Sequence, residues 1–203
     1  MKGNKVLSLL IILAFVLLVG GASILYNRLS TQEFPDQLAT QGNDTASNDT
    51  QAKETTQTGT SSENRILAPD FTVYDIDGNE VHLSDYLGTP VIINFWASWC
   101  GPCKREMPDF NTAYAELDGQ VQFMMINMTD GYRETTESAS KFISQQGYSF
   151  PVFYDTELTA AMLYGATSLP TTFFIDADGY AVAKAVGAIN ARTLQIGISK
   201  ILP

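Results

Sequence analysis

The sequence has few cysteines, few histidines and few basic residues, and each shortage excludes a class of protein. Among 203 residues there are 2 cysteines and 1 histidine. These are too few for a scaffold held by several disulfides, or for a zinc site made of cysteine alone. Acidic residues outnumber basic ones by 22 to 12, which gives a formal net charge of -10. This charge argues against binding to nucleic acid or to another anionic surface.

Both cysteines lie in one Cys-x-x-Cys motif, at Cys100 and Cys103. The motif follows a strongly apolar run, residues 91–96, which predicts a buried strand. Lys104 to Leu117 then has the pattern of a helix. The unpaired N–H groups and the positive dipole end at a helix N-terminus favour a thiolate over a thiol. Because the thiolate is the nucleophile of disulfide exchange, this position predicts a redox couple.

The N-terminal residues have the pattern of a membrane anchor. Lys2 and Lys5 precede an apolar stretch that continues to about Tyr26. A helix needs roughly 20 such residues to cross a bilayer. We therefore expect residues 5–26 to form a transmembrane signal anchor, with residues 1–4 in the cytoplasm and the rest outside. The small residues at 20–22 leave cleavage by a signal peptidase open as an alternative.

Residues 27–64 are rich in Ser, Thr, Gln, Asn and Asp and contain almost no large apolar side chains. Such a segment cannot bury enough apolar surface to offset the entropy lost on ordering. We interpret it as a disordered polar linker between the anchor and a folded domain at residues 65–203.

The domain at residues 65–203 has the pattern of an α/β fold, with a central mixed β-sheet flanked by helices. It begins with a β-hairpin around the Asp77-Gly78 turn and ends with a second hairpin around Asp178-Gly179, before a last helix. Strands and helices alternate between the hairpins. We expect strands at 71–74, 80–83, 91–96, 121–127, 152–154, 171–175 and 180–186, and helices at 104–117, 134–146, 157–164 and 191–202.

Three stretches of the domain are similar to one known family. They are Ala68-Pro69-Asp70-Phe71, the block from Asn94 to Pro108 that contains both cysteines, and Leu169-Pro170-Thr171-Thr172-Phe173. Together they resemble the thioredoxin superfamily, and more closely the membrane-tethered TlpA/ResA-like thiol-disulfide oxidoreductases of bacteria. The resemblance covers Ala68 to Pro203. It implies a thioredoxin-like fold with an N-terminal β-hairpin and a central insertion at about residues 132–154.

The resemblance implies a role for each residue around the motif. Cys100, at the start of the helix, is expected to be the exposed, attacking thiol. Cys103, one turn further along, is expected to be the shielded, resolving thiol. Gly101 and Pro102 set the shape of the loop between them, and Trp99 shields the cysteine pair.

Two further parts of the site are expected from the same resemblance. Pro170 corresponds to a cis-proline that exposes the backbone of Leu169, so that a substrate chain can pair with it as an added strand. Ordinary thioredoxins carry a buried aspartate at the position of Asn94, and an amide cannot take up a proton. Glu106, on the same helical face as Cys103, is therefore the candidate for moving protons to or from that thiol.

The resemblance also implies partners and a location. The protein is expected to lie in the bacterial cell membrane with one span and its catalytic domain on the extracytoplasmic side. Its substrates would be disulfides of secreted or membrane proteins, such as apocytochrome c, and its electrons would come from a membrane thiol transporter of the CcdA type. No metal and no cofactor other than the redox-active Cys100–Cys103 disulfide is expected.

Three alternatives to a reductase stay open at this point. The couple could run in the opposite direction, as a disulfide-forming oxidant. The Ala68 to Phe71 opening is shared with redoxins, so a peroxiredoxin-like thiol peroxidase is a second possibility. A metal-binding module built on the cysteine pair is the third, although it needs two more ligands and His82 is the only histidine.

Overall fold

The computed structural model of the chain describes residues 66–203. The stretches predicted as a cytoplasmic end (1–4), a membrane anchor (5–26) and a polar linker (27–64) lie outside the described residues. Within residues 66–203, no helix is both long enough and apolar enough to span a bilayer.

Eight strands, all within residues 66–203, form a single sheet. They are β1 (Ile66–Leu67), β2 (Thr72–Tyr74), β3 (Glu80–His82), β4 (Val91–Trp96), β5 (Gln122–Asn127), β6 (Val152–Tyr154), β7 (Thr171–Ile175) and β8 (Tyr180–Val186). Their spatial order is β1-β8-β7-β4-β5-β6-β2-β3. The β4–β5 and β5–β6 pairs are parallel and the other pairs are antiparallel, so the predicted mixed sheet is confirmed.

The helices of the described residues are α1 (Gly101–Leu117), α2 (Thr136–Gln146), α3 (Thr159–Leu163) and α4 (Ala191–Ile201), with a 3-10 turn at Leu83–Tyr86. Both predicted hairpins are present, β2–β3 near the start of the domain and β7–β8 before the last helix. The segment predicted as a central insertion forms α2 and β6, and β6 extends the sheet beyond β5.

Strand β4 is the centre of the fold, and every residue in it is buried. Ile92 and Trp96 belong to a core shared with α1, α2 and α4. Ile93 and Phe95 belong to a second core, shared with α3 and the N-terminal hairpin. Since both faces of β4 are covered, its continuous apolar run is the pattern expected of a buried strand. The prediction of helices on both faces of the sheet is therefore confirmed.

Three helix starts differ from the predictions. Helix α3 begins at Thr159 rather than at residue 157, and the other two differences affect the active site. Helix α1 begins at Gly101 rather than Lys104, because Cys100 is its N-cap residue. Helix α2 begins at Thr136, after the N-cap Thr135, whose side chain accepts a hydrogen bond from the Ser138 N–H. The expectation that Glu134 starts this helix was wrong, since Glu134 lies in the preceding loop.

Helix α4 packs closely on the sheet at Gly197, and this contact can be tested. A Cβ at this position would overlap the ring of Phe174. We expect Gly197→Ala to lower the free energy of unfolding by about 1–3 kcal/mol, the usual cost of overpacking a core. Ser199→Ala, at an exposed position of the same helix, is the control and should change it little. Urea denaturation measures both, and an unchanged stability in Gly197→Ala would contradict the packing argument.

Candidate active site

The two cysteines form a disulfide at the N-terminus of α1. As the N-cap residue, Cys100 accepts a hydrogen bond at its sulfur from the Cys103 N–H, over 3.2 Å. Cys103 is fully buried, as expected, but Cys100 is only 4% exposed. The expectation of an exposed Cys100 was therefore wrong for this disulfide form. Its sulfur is directed back onto the first turn of the helix, where it bonds to Cys103.

An open cavity of about 480 Å³ lies beside the disulfide. The residues that line it include five of those predicted for the site, namely Trp99, Cys100, Gly101, Pro102 and Leu169. Three other predicted residues, Cys103, Glu106 and Pro170, lie behind this surface and are buried. The structure thus places one cysteine of the couple at a cavity and keeps the other within the core.

The segment before β7 forms another wall of the cavity. The peptide bond between Leu169 and Pro170 is cis, as predicted. The carbonyl of Pro170 accepts a hydrogen bond from the Gly187 N–H at the end of β8, over 2.9 Å. Leu169 is half-buried and lines the same cavity as Cys100.

Glu106 is a buried carboxyl group one helical turn beyond Cys103. Only 2% of the residue is exposed. One carboxyl oxygen accepts a hydrogen bond from the Asn94 side-chain amide at 2.8 Å, and the other accepts from the Ile189 N–H at 2.9 Å. The Asn94 amide also donates to the Thr172 hydroxyl at 3.0 Å, so Glu106 is tied to strands β4 and β7.

Burial raises the pKa of Glu106 from an ordinary value of 4.5 to about 8. The hydrogen bonds from Ile189 and Asn94 lower the pKa but do not outweigh desolvation, and Asp109 raises it further. The group is therefore a neutral carboxylic acid at pH 7, with a proton that it can give up. This is the property required of a group that exchanges protons with a neighbouring thiol.

Trp99 and Arg133 form a stacked pair at the cavity. The Arg133 guanidinium lies 3.5 Å from the centre of the indole ring, and both residues line the cavity. Asp130 holds the loop that carries Arg133, because its carboxylate accepts the N–H groups of Tyr132, Arg133 and Glu134. Sequence analysis missed Arg133, since an arginine in a polar loop gives no local sign that it meets a tryptophan 34 positions earlier.

Glu134 is a second residue that sequence analysis missed. It is fully buried, although it is an acidic residue in a loop. Its carboxylate accepts hydrogen bonds from the Ser98 N–H at 2.8 Å, the Ser98 hydroxyl at 2.7 Å and the Asn127 amide at 2.7 Å. Ser98 lies two residues before Cys100, so Glu134 contacts the chain directly before the redox motif.

Among residues 66–203, no group of three or more His, Cys, Asp or Glu side chains is placed to hold a metal ion. His82, at the end of β3, instead makes a hydrogen bond of 3.1 Å to the Thr72 hydroxyl.

Several known proteins are similar to this chain in sequence or in structure. The thiol-disulfide oxidoreductase ResA of Bacillus thuringiensis is 35% identical over 137 residues, which are 67% of this chain and 77% of the relative. A Chlorobium tepidum protein described as the thiol:disulfide interchange protein DsbE is 34% identical, with a TM-score of 0.62 over 68% of this chain and 97% of its own.

A third similar structure is the exposed lipoprotein thioredoxin Etrx1 of Streptococcus pneumoniae. It is 29% identical, with a TM-score of 0.56 over 65% of this chain and 99% of its own. These neighbours confirm the predicted thioredoxin-like fold. Residues 66–184 match the AhpC/TSA family, which is more than half of the chain. The chain therefore belongs to the AhpC/TSA family, and it is a thioredoxin-like thiol-disulfide oxidoreductase related to ResA.

Proposed function

We propose that this protein reduces disulfide bonds of other proteins on the extracytoplasmic side of a bacterial membrane. The observation that carries the proposal is the Cys100–Cys103 disulfide at a helix N-terminus, with Cys100 on an open cavity and Cys103 behind it. A cavity that borders only one of the two cysteines is suited to a reaction in which the two sulfurs act in turn.

The proposed reaction has two exchange steps. In the reduced protein, the Cys100 thiolate attacks one sulfur of a substrate disulfide, and the substrate bond breaks as a mixed disulfide forms. The Cys103 thiolate then attacks the Cys100 sulfur, which releases the second substrate thiolate and forms the internal disulfide. Two electrons pass to the substrate, whose thiolates take up two protons. The oxidised protein must afterwards be reduced by a thiol donor.

Other residues support these steps in the proposal. Glu106 holds a proton one turn from Cys103 and exchanges it with that thiol as the thiolate forms and is consumed. Gly101 and Pro102 keep the loop short, and Trp99 shields the couple from one side. A substrate chain lies in the cavity and pairs with the backbone of Leu169, which the cis bond to Pro170 presents. The Cys100–Cys103 pair is the only redox group that this reaction requires.

The proposed location and partners depend on the N-terminal sequence and on the relatives. Residues 5–26 would anchor the domain through the linker at 27–64, with the donor a membrane thiol transporter of the CcdA type. The similar pneumococcal protein is described as an exposed lipoprotein, which supports a location outside the cytoplasm. Secreted or membrane proteins that carry disulfides, including apocytochrome c, are the proposed substrates.

The direction of electron flow can be tested by the reduction potential of the domain. We expect a value near that of thioredoxin, roughly -270 mV, as required of a reductase. The potential is measured by equilibrating the protein with dithiothreitol mixtures and counting free thiols. A value near that of DsbA, about -120 mV, would contradict the proposal and favour a disulfide-forming oxidant.

A thiol peroxidase is a second candidate, and one observation favours it. Arg133 and Thr167 line the cavity together with Cys100, and arginine and threonine are residue types that bind peroxide in thiol peroxidases. We expect the reductase to be the main activity, because both cysteines form one Cys-x-x-Cys disulfide. Rapid consumption of hydrogen peroxide by the reduced protein, faster than its reaction with insulin, would favour the peroxidase.

A further inference from the structure

Glu134 is buried beside the redox motif but takes no part in the exchange steps described above. Burial of a carboxylate is costly unless its oxygens accept hydrogen bonds. Here three donors satisfy it: the N–H and hydroxyl of Ser98, and the side-chain amide of Asn127. All three donors are neutral groups, so the arrangement is a hydrogen-bonded anchor rather than an ion pair.

Ser98, the residue that Glu134 anchors, lies in the turn directly before Cys100. After β4 ends at Trp96, the Cys100 N–H donates to the Ala97 carbonyl over 3.1 Å, which closes a β-turn from Ala97 to Cys100. Ser98 and Trp99 are the two central residues of this turn. The N–H of Ser98 points away from the turn and is taken up by Glu134 at 2.8 Å. Glu134 therefore contacts the turn directly, at the first of its two central residues.

Glu134 also contacts the sheet, because it accepts a hydrogen bond from the Asn127 side chain. Asn127 is the last residue of β5, which pairs with β4, and its side-chain oxygen accepts a hydrogen bond of 2.8 Å from the Thr129 hydroxyl. Glu134 thus joins the turn before Cys100 to the end of the neighbouring strand. Arg133, the residue before Glu134 in the chain, stacks on Trp99. The same loop therefore contacts the turn at the Ser98 backbone and at the Trp99 ring.

We propose that Glu134 is a positioning residue for disulfide exchange: it fixes the Ala97–Cys100 turn, and with it Trp99 and the Cys100 sulfur, against the sheet. It acts through Ser98 and does not touch the reacting sulfurs. This positioning role rests on the proposed disulfide exchange at Cys100, but not on the direction of electron flow.

Glu134→Ala and Glu134→Gln separate positioning from simple stability. In the alanine variant the turn loses its anchor, and we expect kcat/KM for insulin reduction to fall by about 10- to 100-fold, the effect of misplacing a reacting group by about 1 Å. Glutamine keeps one oxygen for the Ser98 N–H and the Asn127 amide, and its own amide can donate to the Ser98 hydroxyl. We therefore expect Glu134→Gln to keep most of the activity.

One control variant and a second readout make this test decisive. Asp70→Ala removes a carboxylate that accepts the N–H groups of Phe71 and Ser84 and does not line the cavity, so it should lower stability without changing kcat/KM. Alkylation of Cys100 by iodoacetamide in the reduced protein is the second readout, and it should slow in Glu134→Ala. This readout does not require that the protein act as a reductase, so failure of the proposed direction is distinguishable from failure of this inference.

The inference is overturned if Glu134→Ala, assayed well below its Tm, keeps the wild-type kcat/KM and alkylation rate, because Glu134 would then contribute stability alone. It is also overturned if Glu134→Gln is as impaired as Glu134→Ala. If the alanine variant does not fold, Ser98→Ala tests the same link, since it removes only the hydroxyl bond. We expect about a threefold lower kcat/KM, which is the loss of one hydrogen bond, and an unchanged value there would also overturn the inference.

Discussion

Cys100→Ser is expected to reduce the rate of insulin disulfide reduction to that of the uncatalysed reaction with dithiothreitol. A serine hydroxyl does not ionise near neutral pH and cannot form a mixed disulfide, so the first exchange step has no nucleophile. The helix N-terminus that stabilises a thiolate at this position cannot compensate for the missing sulfur. The rate of insulin precipitation with and without the variant measures the effect.

Cys103→Ser is the matched variant for this prediction. It keeps the attacking thiol but removes the resolving one, so a mixed disulfide with the substrate should form and persist. We expect it to accumulate a covalent adduct with insulin chains that dithiothreitol releases, whereas Cys100→Ser should form none. Insulin reduction that persists in Cys100→Ser, or an adduct with that variant, would contradict the assignment of Cys100 as the nucleophile.

A loss of activity in Cys100→Ser must also be separated from a loss of fold. The native disulfide closes a short loop, and constraining the unfolded chain in this way contributes about 2 kcal/mol on the chain-entropy argument. The reduced wild-type protein lacks the same bond and is therefore the correct reference. We expect the stability of Cys100→Ser to match that of the reduced wild type, measured by urea denaturation.

The sequence predicted the parts of the fold that depend on long local patterns. The apolar run of β4 and the spaced apolar residues of α4 each identify an element that buries one or both faces. Strand β1 was missed because its two residues are exposed and form the edge of the sheet by pairing with β8. Two residues carry no periodicity, so only the tertiary pairing defines this strand.

The start of α1 was predicted too late in the sequence, because the N-cap residue was not identified. Gly101 and Pro102 are unfavourable inside a helix, and the sequence pattern therefore placed the start at Lys104. In the first turn, however, proline loses no hydrogen bond, and its fixed φ suits the helix. Cys100 then becomes the N-cap residue, with its sulfur on the Cys103 N–H. The redox chemistry and the helix cap thus involve the same sulfur.

The residues of the site also fall into two groups, those recognisable from local sequence and those defined by contacts with distant parts of the chain. Cys100 and Cys103 were identified from their Cys-x-x-Cys motif, and Glu106 from the family resemblance together with its position one helical turn after Cys103. Arg133 and Glu134 were not, because their meaning depends on contacts with Trp99 and Ser98, more than 30 positions earlier in the chain. An acidic residue just before a helical pattern normally indicates a solvated first turn. No local feature distinguishes that case from a buried anchor.

The second large effect is expected in the pH dependence of stability, and its source is Glu106. The pKa of this carboxyl is about 8 in the folded protein and near 4.5 in the unfolded chain. Between these two values the unfolded chain releases its proton while the folded protein keeps it. The contribution of Glu106 to stability is therefore fully present below pH 4.5 and is lost progressively as the pH rises to 8.

Glu106→Gln should remove this dependence. At about 1.4 kcal/mol for each pKa unit, the wild-type protein loses about 5 kcal/mol from this group across the interval, and the glutamine variant loses none of it. Glutamine cannot accept both the Asn94 amide and the Ile189 N–H with equal geometry, so it has a cost of its own. That cost does not change with pH, and only the change in the difference between the two proteins is diagnostic.

Urea denaturation of the oxidised proteins at pH 5, 7 and 9 measures that difference directly. We expect Glu106→Gln to gain stability relative to the wild type as the pH rises, with most of the gain complete by pH 9. Glu116→Gln, which changes an exposed glutamate of the same helix, should follow the wild-type profile. Parallel profiles for the wild type and Glu106→Gln would mean that the buried carboxyl is already ionised at pH 5. Glu106 would then hold no proton at neutral pH for Cys103, and another group would have to supply it.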